Sequence, residues 1–84
     1  MRRGEKRLGE MRVNPADDWR IDDVRVVCRE FGIDLLAPRS GGSHYKVTHQ
    51  SQRDILSIPA RRPIKAVYIR RLVDFVEAVR TATL

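Results

Sequence analysis

The feature that most constrains the fold is the run Ser40-Gly41-Gly42, set between an apolar stretch over residues 33–37 and an alternating stretch over residues 44–49. Glycine reaches positive φ without a steric penalty, so the run permits the tight reversal that joins two antiparallel strands. Pro38 closes the first strand. In the second, a period of two separates Tyr45, Val47 and His49 from His44, Lys46 and Thr48. The apolar set must face the core, so His44 and Lys46 share the solvent side. Gln50-Ser51-Gln52 predicts the next turn, and residues 53–58 a third strand with Leu56 and Ile58 pointing inward and Pro59 as its stop.

Helices flank these strands. Val24, Val27, Cys28 and Phe31 recur at three- and four-residue steps behind the acidic run that opens at Asp17, where carboxylates favour a helix start, and Gly32 marks the end. Ile69, Leu72, Val73, Val76 and Val79 form the apolar stripe of a long second helix. Ahead of both, residues 1–13 mix charges with Leu8, Met11 and Val13, a spacing that predicts a short helix ended by Asn14-Pro15. The expected fold is α+β, helix, three-stranded antiparallel sheet, helix, with a short extra N-terminal helix. It is a single domain over 1–84, with residues 1–15 as an extension and 17–80 as the core. Helices on one face of such a sheet leave the other face wet, where a ligand can lie.

Composition narrows the function. Cys28 is the single cysteine and there are two histidines, which excludes an internal disulfide and a cysteine-rich zinc site. Neither a metal nor another cofactor is expected. No apolar run approaches the roughly 18 residues of a membrane span, and the basic N-terminus lacks the apolar stretch of a signal peptide, so a cytoplasmic protein is expected. Trp19 and Cys28 read as core residues. His49, inward by parity, reads as structural.

The charge is focused rather than spread. From Arg39 to Arg71 eight basic residues, Arg39, Lys46, Arg53, Arg61, Arg62, Lys65, Arg70 and Arg71, face one acid, Asp54, whereas the first 38 residues balance eight against eight. A local excess of this kind is the footprint of a polyanion-binding surface, most commonly for RNA or DNA. RNA carries its own nucleophile in the 2′-hydroxyl. Cleaving it needs a base for that proton and cations for the phosphate, and imidazole exchanges a proton near neutral pH. His44 is the candidate base, with Lys46 as its same-face neighbour. The backbone of Gly42 and Ser43 can approach a phosphate oxygen, Arg61 and Arg62 can steer the RNA backbone, and Lys65 marks a helix start where an anion is favoured. The bend lacks the Gly-x-x-x-x-Gly-Lys pattern of a nucleotide loop.

Gly42-Ser43-His44-Tyr45, the strand ending in Ile58-Pro59 and the later Pro63-Ile64-Lys65 leading into a helix resemble the HicA toxin family of bacterial toxin–antitoxin pairs. The likeness runs from about Asp18 to about Val79. It implies a double-stranded-RNA-binding-domain-like fold and endoribonuclease cleavage of mRNA as an mRNA interferase. It also implies a catalytic histidine at the position of His44 and neutralisation by a HicB-like antitoxin that masks the site. Gly41 stands where many members have Lys or Arg, and Ala66 where they have Pro. Two other readings fit the same basic face: a non-catalytic module that grips duplex RNA by shape, and a protein-interaction subunit that docks an acidic partner.

Overall fold

The computed structural model describes residues 3–39 and 41–83. Met1 and Arg2 of the expected N-terminal helix and Ser40 of the expected bend lie outside them. In chain order the elements are α1 (Arg3–Val13), α2 (Ile21–Glu30), β1 (Asp34–Leu36), β2 (His44–Thr48), β3 (Leu56–Pro59) and α3 (Ala66–Ala82). This is the α+β order that the residue patterns predict, with the extra helix in front. The strands form one antiparallel sheet, β1-β2-β3, with β2 in the centre. Gly41 takes φ +67° in the β1–β2 connection, a backbone conformation that a side chain would strain.

Register fixes the two faces. Leu35, Val47 and Leu56 lie opposite one another across the three strands, as do Tyr45 and Ile58 across two, and this face packs on the helices. Leu36, Lys46 and Ser57 align on the other side, and all three are exposed. The strands are shorter than the patterns predict. β3 begins at Leu56 rather than at residue 53, because the turn before it takes more residues than its polar run suggests. In that turn Gln52 N–H donates to the His49 carbonyl at 2.9 Å, and His49 Nδ1 bonds the Ser51 hydroxyl at 2.7 Å. His49 therefore closes a turn, a structural role. Pro59 is the last residue of β3 rather than its stop: it needs no donor on the side that lacks a partner strand.

Val24, Val27 and Cys28 of α2 and the whole predicted stripe of α3 are buried against the sheet and against each other. Burial pushes the Cys28 thiol up to about 12, which keeps it protonated and inert. α1 adds a further layer on α2 and α3, burying Leu8 and Met11 in the same core. Gly4 makes its close approach to α2 possible, since a Cβ there would fall 2.1 Å from the Glu30 Cβ. Arg7 pairs with Asp23 of α2 at 2.9 Å and Arg12 with Glu77 of α3 at 2.6 Å. The extension is thus part of the fold. Among the described residues, no helix is long and apolar enough to cross a membrane.

The acidic run does not itself begin α2. Asp17 and Asp18 stay in the linker, Trp19 is buried with its indole N–H donating to the Asn14 carbonyl at 2.8 Å, and the helix starts at Ile21. Asp23 completes the start by accepting the Arg20 backbone N–H at 2.9 Å. The linker also anchors a distant segment: Ile64 N–H donates to the Trp19 carbonyl at 2.8 Å, and the Ile64 side chain is buried.

Candidate functional site

That anchored segment, residues 60–65, forms one wall of a cleft of about 290 Å³ at the end of the sheet, lined by Ser43, His44, Pro59, Arg61, Arg62, Pro63, Lys65 and Tyr68. Its assembly follows from the register. His44 opens β2 directly opposite Pro59, and the ladder gains one more bond where Ala60 N–H donates to the Ser43 carbonyl at 2.6 Å. The chain leaving β3 is therefore held beside the histidine. Pinned at Ile64, it then enters α3, whose N-cap is Lys65 in an extended conformation.

Of the residues that the sequence singles out, Ser43, His44, Arg61, Arg62 and Lys65 line this cleft. Gly42 and Lys46 do not. Lys46 shares the exposed side of the sheet with His44, two residues further along β2, so the alternation gives its face correctly but not its distance from the cleft. The site sits at the strand ends, between sheet and helix, and not across the open face of the sheet.

The cations differ in their company. Arg62 forks onto Asp18, with Nη2 at 3.1 Å from Oδ2 and Nε at 3.4 Å from Oδ1. The Arg62 hydrogen bond, followed by its charge and that of Arg20, outweighs desolvation and holds the Asp18 carboxyl below its ordinary value. Both side chains are more than half exposed, so water screens the pair, which orients Arg62 and stabilises the fold only slightly. Arg61 and Lys65 have no such acid. Among the described residues, neither they nor the His44 ring makes a side-chain hydrogen bond or ion pair. The arrangement can accept an anion with two unengaged cations and present an exposed imidazole to it.

Two residues escape the sequence reading. Tyr68 lies on the cleft side of α3, just outside the apolar stripe that defines the helix. It falls in the first turn of α3, just past the Lys65 N-cap, and its closeness in sequence to Lys65 is a signal that could have found it. Asp18 reads only as part of a helix start, and nothing in periodicity links it to Arg62, 44 residues away. Comparison with family models, with curated proteins and with solved structures returns no match.

Proposed function

We propose that this chain is a HicA-like toxin, an endoribonuclease that cleaves mRNA in the cytoplasm without a metal ion and is neutralised by a HicB-like antitoxin. The observation that carries the reading is the meeting, in one cleft, of an exposed histidine from the start of β2 with Arg61 and Lys65 from the segment leading into α3. The Gly42-Ser43-His44 and Ile64-Lys65 resemblance contains two of these residues, His44 and Lys65.

His44 takes the proton of a 2′-hydroxyl, and the resulting oxygen attacks the adjacent phosphorus. The bond to the 5′-oxygen breaks, and that oxygen leaves with a proton from solvent. The products are a 2′,3′-cyclic phosphate and a 5′-hydroxyl. Arg61 and Lys65 stabilise the added negative charge on the phosphate during the attack, which is where fixed cations lower a barrier most. Ser43 shapes the cleft beside the base.

Loss of a general base costs roughly 10²- to 10⁴-fold in rate. His44→Ala should therefore fold normally by circular dichroism, cleave single-stranded RNA slower by that factor, and relieve any growth arrest that the unmodified chain causes on induction. Undiminished cleavage by folded His44→Ala overturns the mechanism. Tight co-purification of an acidic partner, together with no RNA binding at any salt concentration, would favour the protein-docking reading instead.

A further inference from the structure

The cleft holds more than a phosphate requires. Cations alone suffice for an anion, yet three ring-bearing residues, Pro59, Pro63 and Tyr68, line the same cleft as Arg61, Arg62 and Lys65. Tyr68 is half-buried: it packs in part against the hydrophobic core and also lines the cleft. The Arg71 guanidinium stands 5.9 Å from the centroid of its ring, within cation–π reach, so the tyrosine is flanked by charge inside a strongly basic segment. An aromatic ring beside unengaged cations matches a nucleotide, whose charge and flat apolar base are joined through one sugar.

We propose that Tyr68 is the platform for one unstacked nucleobase, and that the ligand of the cleft is therefore single-stranded RNA. This inference rests on the RNA reading above and extends it to the base. A base inside a duplex has both faces covered by its neighbours, so it offers no face to a tyrosine unless it leaves the stack. A cleft of about 290 Å³ has room for a local group of this kind. Arg61 and Lys65 hold the phosphate, Tyr68 holds the base, and the sugar between them is presented to His44.

The test uses the full chain carrying His44→Ala, so that bound RNA stays intact, and a fluorescent single-stranded oligoribonucleotide as probe. Adding Tyr68→Leu, which keeps apolar bulk against the core, should weaken binding by about 5- to 150-fold, the span that one stacked base covers. Adding Tyr68→Phe should leave affinity within about twofold, because the ring and not the hydroxyl carries the contact. The salt dependence should be the same in all three, since the phosphate contacts are untouched. A ribose-phosphate oligomer without bases, offered to the protein with Tyr68 intact, should bind more weakly than the full RNA by the same factor as Tyr68→Leu, which checks the proposal without altering the fold. Unchanged affinity in Tyr68→Leu, or equal affinity for a duplex of the same sequence, overturns the platform while leaving RNA binding in place. Failure of the Tyr68-intact protein to bind any RNA overturns both readings.

Discussion

The helical layer pairs four of its cations with carboxylates, whereas two of the three cations at the cleft stand unpaired among the described residues. Around α1, α2 and α3, Arg7, Arg12, Arg25 and Arg80 each face a carboxylate, Asp23, Glu77, Asp22 and again Glu77, at 2.6 to 3.9 Å. At the end of the sheet Arg61 and Lys65 face none among the described residues, and Arg62 alone is answered, by Asp18. Paired charges belong to the fold. Uncompensated like charges around one cleft are screened by water at little cost to the fold, and they favour an anion that enters it. Structure and function are thus separated in space, and substitutions in the two regions should have opposite signatures.

The largest effect on stability is expected from the helical layer. Met11 is fully buried, and Met11→Ala should lower the unfolding free energy by about 2–5 kcal/mol, read by denaturant titration, with RNA affinity of the folded fraction unchanged. Normal stability in this variant would make α1 a detachable extension after all. Crowding is the next lever: Gly4→Ala places a methyl group against Glu30 and should cost roughly 1–3 kcal/mol unless α1 shifts. A melting temperature equal to that of the parent would show that α1 sits more loosely than its packing implies.

Cleft substitutions should do the reverse. Arg61→Ala and Lys65→Ala should leave stability within about 0.5 kcal/mol, while each flattens the log–log salt dependence of single-stranded RNA binding by about 0.7. Equal salt slopes in parent and variants would remove both residues from the interface.

The smallest effect is expected at Asp18, where the two regions touch. Asp18→Asn loosens Arg62 for an outside phosphate and should steepen the salt slope slightly. The Asp18 pKa is lowered on folding, so its pairing favours the folded state fully above the unfolded carboxyl value, and that contribution is lost as pH falls through the folded value. The small stability advantage of the parent over Asp18→Asn should accordingly be constant near neutrality and close only in acid. A gap that widened in acid would contradict the pairing.

Much of this contrast was legible in the sequence. Period-two alternation placed Val47 inward and His44 outward, the Ile69-to-Val79 stripe marked the buried face of α3, and the crowding of basic residues after Arg39 pointed to the charged side. Periodicity gives the face a side chain occupies but not its neighbours along the strand. That is why alternation groups Lys46 with His44, and why it gives no sign of Tyr68, which reaches the cleft only through the Ser43–Ala60 bond and the Trp19–Ile64 anchor. The Arg62–Asp18 fork was equally hidden, because residues distant in sequence leave no local pattern when they pair.

The most direct measurement is the chemistry of the RNA ends after incubating the purified chain with a single-stranded RNA in the presence of a chelator. The expected result is a 2′,3′-cyclic phosphate on one fragment and a 5′-hydroxyl on the other, both missing when His44→Ala replaces the unmodified chain. RNA left uncut by the unmodified chain, or the same ends formed at the same rate by the folded variant, would contradict the assignment of His44 as the base that the cleft presents to RNA.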